Sequence, residues 1–361
     1  MLSTGGTKVC VSVVVYTDPA AFGELERDWR QLFERCQANV FLSWEWFSTW
    51  WEHFGGVAHP RLLTLWQGSV LVGVVPLMLS RTDDDRCRLA LIGADTTTDY
   101  ADALVEDGWE EALRQQLAGY LKDSPEWDEV DLYNLAPDAR LLAMASWLEQ
   151  SPSVVETCPR IALPPTWDEY LAMLDKDDRH ELRRKMRRAA EGGELRHRVL
   201  TTVAEVEAGL TTFFTLHRRS AAAKQQFLDA PMEAFFRAIA RRFAERGWLR
   251  LSFLDLDGVP VASTLSFCHG STVYLYNSGH DPSYRRYSVG IVLVALEIQQ
   301  AIADGYRCYD FLRGNEPYKY DFGAVDTPLY RILAGRRTDR PAALADCGAR
   351  GGGLTPPTRG S

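Results

Sequence analysis

Residues Tyr284 to Phe322 read YRRYSVGIVLVALEIQQAIADGYRCYDFLRGNEPYKYDF, and this run sets a long apolar helix, a short strand and a dense polar segment end to end. The helix, Ser288 to Asp304, is apolar almost all round in its first turns, which predicts burial with its N-terminus at a cleft. Gly290 leaves that first turn open, where unpaired N–H groups can bond a phosphate or a thioester; tight helix packing would use the same glycine. The strand, Tyr306 to Leu312, alternates so that Tyr306, Cys308, Asp310 and Leu312 share one face and Tyr309 and Phe311 the other. A carboxylate in such a strand is costly unless it is bonded or used. Asp310 therefore accepts backbone N–H groups or pairs with Arg313, or else takes a proton from a reacting amine, a role for which Glu316 is the second candidate. Lys319 lies between Tyr318 and Tyr320, where it can snorkel among the rings or make a cation–π contact.

Outward from this stretch, strands and helices alternate along the chain, the pattern of an α/β (α+β) fold with a mixed, twisted sheet flanked by helices. Val9 to Tyr16 reads as a strand, Ala21 to Cys36 as an amphipathic helix, and Trp44 to Phe54 as a second helix with Ser43 as N-cap. Arg61–Trp66 and Val70–Leu79 flank a Gln67-Gly68-Ser69 turn, and Leu249–Leu256 and Val259–Phe267 flank Asp257-Gly258 in the same way. With Gly68 and Gly258 taken as equivalent, the two hairpins suggest a duplication. A helix at Trp109–Leu121 precedes Val130–Asn134 and Ala139–Glu149, and Glu156–Leu163 leads through Pro164-Pro165 into the second half. This predicts a first lobe over 1–160, a second over 161–339, and a disordered Gly- and Pro-containing tail over 340–361.

The composition narrows the chemistry. The chain has 361 residues, 46% hydrophobic and 25% charged, with a net charge of −9. That length supports one large or two ordinary cores, and the acidic balance disfavours wrapping DNA. A basic helix nevertheless runs from Arg179 to Arg188, where six of ten residues are Arg or Lys. It is either a solvated face or an attractor for an anionic donor. No apolar run reaches the length of a membrane helix, Met1 to Cys10 has no secretory pattern, and the seven cysteines include no C-x-x-C pair. A cytoplasmic protein without a metal is expected. Walker, H-E-x-x-H, nucleophile-elbow and Rossmann signatures are all missing.

The segments Arg286-Tyr287-Ser288-Val289-Gly290, Tyr309-Asp310-Phe311, Arg313-Gly314 and Glu316-Pro317-Tyr318-Lys319 resemble the GNAT acyltransferase superfamily. More narrowly, they resemble its tandem CelD/BcsL-like (BioF2-like) branch, related to the Fem peptidyltransferases. The aromatic run Phe41 to Gly55 and the basic helix are similar to the same group. The resemblance implies two tandem GNAT-like lobes and an N-acyltransferase moving an acyl group, acetyl first, from acyl-CoA to an amine on a small molecule. It implies donor contacts at Tyr287, Ser288, Gly290 and Arg313, chemistry at Asp310, Glu316, Tyr318 and Lys319, and acceptor contacts at Trp46, Asp99 and Tyr100. An Asp-Tyr segment of the relatives faces their interlobe cleft, whereas an Asx turn would explain Asp99-Tyr100 as well. In Fem proteins a Lys after an aromatic, ahead of Phe-Gly, stabilises the transition state; here that is Tyr318-Lys319 with Phe322-Gly323. The anion loop departs from the usual pattern, reading Tyr287, Gly290 and Val292, with Val289 where relatives carry Pro. Two alternatives accompany the resemblance: a Fem-like transferase with an aminoacyl-tRNA donor, and a non-catalytic GNAT-fold binding module.

Overall fold

A computed structural model of the chain describes residues 11–221, 226 and 228–336; Met1 to Cys10 and the tail expected at 340–361 lie outside the described residues. Contacts divide the chain into two compact units, one running to Val155 and resuming at Leu329, the other spanning Glu156–Pro328.

The first unit begins with β1 (Val11–Tyr16), α1 (Ala21–Arg35) and α2 (Trp44–Phe54). Strands β2 (His59–Gln67), β3 (Val70–Arg81), β4 (Cys87–Leu91) and β5 (Leu104–Val105) follow, then α3 (Glu110–Asp123), β6 (Glu129–Leu135), the short α4 (Met144–Trp147) and the start of β7 (Ser153–Ala162). Helix α1 buries Phe22, Leu25, Trp29, Leu32 and Phe33, the three- and four-residue spacing of one apolar stripe. The predicted cap of α2 forms, with Ser43 Oγ accepting from the Trp46 N–H at 3.2 Å. The segment Ala139–Glu149 supports only a 3₁₀ turn, Arg140–Ala143, and the single helical turn of α4.

The second unit opens with the rest of β7, α5 (Trp167–Met173), α6 (Lys176–Ala190), β8 (Leu195–Leu200), α7 (Val203–Ser220) and α8 (Ala230–Glu245). It continues through β9 (Leu249–Leu256), β10 (Val259–His269), β11 (Thr272–His280), α9 (Val289–Ala303), β12 (Cys308–Asp310), α10 (Pro317–Asp321) and the start of β13 (Val325–Gly335). Strand β12 is shorter than the predicted Tyr306–Leu312. Gly305 and Leu312, at φ 81° and 56°, turn the backbone out of the extended region on either side.

Each unit repeats one sheet topology. In the first, β1, β2, β3 and β4 pair antiparallel in sequence, β4 lies parallel to β6, and β6 pairs antiparallel with the C-terminal end of β13. In the second, β8, β9, β10 and β11 form the antiparallel run, β11 lies parallel to β12, and β12 pairs antiparallel with β7. The last strand of the first unit thus returns from the C-terminal end of β13, whereas that of the second is the strand that opens the unit. The hairpins β2–β3 and β9–β10 are equivalent, but their glycines are not. Gly68 is the first turn residue and matches Asp257, both at positive φ, while Gly258 occupies the second position. Asp257-Gly258 needs φ > 0 at both turn residues, and Gly68-Ser69 only at the first.

Candidate functional site

The start of α9 is shaped by what precedes it. Asp281 Oδ1 accepts from the Ser283 N–H at 2.9 Å and opens a 3₁₀ turn, Pro282–Tyr287. Ser288 then adopts a left-handed conformation, φ 53° and ψ 40°, before the helical residues begin. Such a left-to-right reversal points successive N–H groups into one concavity, which suits an anion. The Ser288 hydroxyl does not cap the helix; it accepts from Arg188 Nη2 of α6 at 2.8 Å. Arg188 Nε is buried with no acceptor among the described residues. The Arg286 guanidinium lies 4.4 Å from the centre of the Tyr287 ring, and that ring lies so close over Gly192 that a Cβ there would collide with it. Arg285 and Arg286 are exposed. A Cβ on Gly290 would meet His280 Nδ1 at 3.5 Å, ordinary contact, so packing within the protein does not demand glycine there. The open-turn reading of Gly290 gains by that.

The second cluster lies on β12, α10 and the loop between them. Asp310 is buried and stands in register with Tyr274 on β11 and Arg160 on β7. Its Oδ1 accepts the Leu312 N–H at 2.8 Å, a bond that holds Leu312 at its positive φ. Burial raises the Tyr274 hydroxyl above its ordinary pKa, and the Asp310 charge adds to this. The Cys308 thiol is pushed up to about 11 for the same two reasons. Lys319 is 3% exposed, and its ammonium reaches the carbonyls of Leu312, Arg313 and Gly314 at 3.3, 3.0 and 2.9 Å and Glu316 Oε2 at 2.8 Å. An ammonium has three N–H groups, so these four oxygens occupy it fully. In this conformation Lys319 clamps the loop rather than facing an acyl carbonyl. Glu316 is the more accessible carboxylate, with its side chain 35% exposed. Tyr318 sets its ring edge against Phe311, 6.1 Å between centres, and burial raises its hydroxyl pKa, with the nearby Glu316 charge a smaller cause.

The three predicted acceptor contacts fall together in the first unit. Trp46 Nε1 donates to Thr98 Oγ1 at 2.8 Å, the Phe41 ring stands edge-on to Trp46 at 4.9 Å, and Tyr100 lies 6.3 Å from Phe41. Trp46, Asp99 and Tyr100 are all buried. The N–H groups of Thr96, Thr97 and Thr98 converge on the Gly93 carbonyl, so a backbone turn delivers Asp99. Arg188 is the site residue that sequence reading missed as an individual. Its signal was its place in the basic helix; what singles it out is the reach to Ser288, a contact between residues 188 and 288.

Residues 176–320 match the family model of the acetyltransferase (GNAT) domain. No curated protein matches the chain. Among solved structures, the crystal structure of FemX superposes with a TM-score of 0.60 at 13% identity, covering 89% of this chain and 96% of that one. The C-terminal domain of a putative lysylphosphatidylglycerol synthetase from Agrobacterium fabrum gives 0.58 at 12%, covering 90% and 95%. L-PGS from Bacillus licheniformis gives 0.55 at 11%, covering 86% and 91%. At these identities the likeness is one of fold.

Proposed function

We propose that this chain, an acyltransferase with a GNAT, Fem-related fold and an acetyltransferase domain at residues 176–320, moves an acyl group from acyl-CoA to an amine on a small cytoplasmic molecule. The observation that carries the reading is the first turn of α9. There a left-handed Ser288, an open Gly290 and the Arg188 guanidinium bring N–H donors and positive charge to one point. A diphosphate-bearing donor meets that combination best, because charge-assisted bonds to phosphate are roughly twice as strong as neutral ones. Tyr287 and Arg313 would flank the donor.

For direct transfer the acceptor nitrogen must lose a proton as it attacks the thioester carbonyl, and the departing sulfur must gain one. Glu316 is the better-exposed candidate base, and Asp310 the buried one. The proton taken from the nitrogen passes to the departing sulfur, and Tyr318, whose hydroxyl burial keeps protonated, can hydrogen-bond that sulfur as charge develops on it. Lys319 supports the reaction by fixing the loop that carries Glu316. Trp46, Asp99 and Tyr100 are proposed to shape the acceptor side, and the lobes to divide near residue 160.

The test is binding of acetyl-CoA and steady-state transfer for Arg188→Met and Gly290→Leu. The first should raise the donor KM about 10- to 100-fold, the value of one charge-assisted bond, with kcat little changed. The second should block binding in a folded protein. Unchanged donor affinity in both would remove the donor from α9.

One feature favours a second reading. Arg183 and Arg187 continue the basic face of α6 and are exposed, charge beyond what Arg188 brings to a diphosphate. An aminoacyl-tRNA donor would meet that face. It predicts an affinity for charged tRNA that falls steeply with salt and weakens in an Arg183→Gln/Arg187→Gln variant, whereas acetyl-CoA affinity stays constant.

A further inference from the structure

The sheet face beneath α9 carries two apolar clusters with a polar seam between them. One cluster joins Leu254 and Ala262 to Val289, Val292 and Leu293; the other joins Cys268 and Val273 to Ile298, Ala301 and Tyr309. Along β10, Thr264 and Ser266 fall between Ala262 and Cys268 on the same face, and Ser252 stands opposite Thr264 on β9. Along α9, Glu297 falls between Leu293 and Ala301 on one helical stripe, four residues from each. Strand and helix thus each carry polar positions between the two apolar clusters.

These groups are deeply buried. Ser252, Thr264, Ser266 and Tyr309 are at most 1% exposed, and none of their hydroxyls has a hydrogen-bond partner among the described residues. Glu297 is 3% exposed and meets His197 Nε2 of β8 at 3.1 Å. Burial raises the Tyr309 hydroxyl well above its ordinary pKa, and the nearby Glu297 charge adds to this. Buried hydroxyls without partners are rare in native proteins, and a cluster of them beneath a helix that carries a buried carboxylate offers the two to four bonds that a buried water requires.

We propose that this seam is an enclosed water site, in which water molecules bridge Ser252, Thr264, Ser266 and the Tyr309 hydroxyl to the Glu297 carboxylate and hold α9 in register on the sheet. The site does not depend on the donor reading; only the consequence at the other end of α9 rests on it.

Thermal melts of the full chain with Thr264→Val and with Tyr309→Phe test the site. Each variant keeps shape and removes one hydroxyl. If water bridges these groups, both melting temperatures fall, by roughly 2 to 4 °C each. If the hydroxyls are dry, removing their desolvation cost leaves the melting temperature unchanged or raises it, which overturns the proposal. Should either variant fail to fold, a crystal structure of the unaltered protein decides. Density within hydrogen-bonding distance of at least two of the four hydroxyls supports the site, and a seam without density overturns it. The donor reading is read separately: Glu297→Gln should retain the water and the fold, and a raised donor KM in it would tie the seam to α9's N-terminus.

Discussion

Lys319 shows how one buried side chain can be read in two ways, and how its partners choose between them. Three backbone carbonyls converge on its ammonium, two of them from Leu312 and Gly314, which sit at φ 56° and 108°. Glycine adopts such a φ freely, but leucine held there drifts back unless something restrains it. Lys319→Met keeps the stem but leaves those carbonyls unpaired, so it should lower unfolding stability by about 1–3 kcal/mol in a denaturant titration. A full-strength fold with only kcat reduced would return Lys319 to the oxyanion role suggested by its sequence context. The type of residue and its aromatic surroundings were legible in the sequence. Its partners were not, because the conformation of Leu312 depends on a bond from its N–H to Asp310 that no local propensity encodes.

Among elements, the segment between β4 and β5 clasps the loop joining β6 to α4 through one titratable residue. Asp102 accepts the N–H groups of Arg140 and Leu141 at 2.6 and 2.9 Å, and its pKa is raised to about 6 because burial outweighs those bonds. In the unfolded chain the carboxyl returns to its ordinary value near 3.8. Between those values the folded state holds a proton that the unfolded state does not, so the stability due to Asp102 is complete below about 4 and lost as pH rises through about 6. The difference in melting temperature between the protein and Asp102→Asn should therefore shift in favour of Asn from pH 4.5 to pH 7. A difference independent of pH would mean that burial does not govern this carboxyl. Elements of this size were read well wherever periodicity was strong: α2 and β9 fall on the predicted residues, and α1 ends one residue early. Reading failed where tertiary pairing sets the limits. Strand β12 keeps three residues of the seven expected, since Tyr306 and Leu312 look like strand residues but flank turns.

At the level of the whole molecule, the repeat of topology was visible in the two hairpins, while the return of β13 to the first unit was not. Nothing in Leu329 to Gly335 marks a strand that belongs with the first unit. Yet Ile332 and Leu329 are fully buried, Ile332 joins the first core, and Arg331 makes two 2.8 Å bonds to the Asp131 carboxylate. Ending the chain after Pro328 should therefore spare the second unit's strands and unfold or destabilise the first. A two-step or early-onset melt by circular dichroism is the expected signature. A truncated chain melting as the full one does would show β13 to be dispensable.

The same late return of β13 matters while the chain is being made. Strand β6 leaves the ribosome at Leu135, but its antiparallel neighbour is complete only at Gly335. At about 5–20 residues per second, the nascent first half waits on the order of 10 to 40 seconds with one strand edge unsatisfied. An edge of that kind recruits other strands. Expression yield should then depend on elongation speed and on chaperones that shield β-edges, more than the stability of the finished protein alone would suggest.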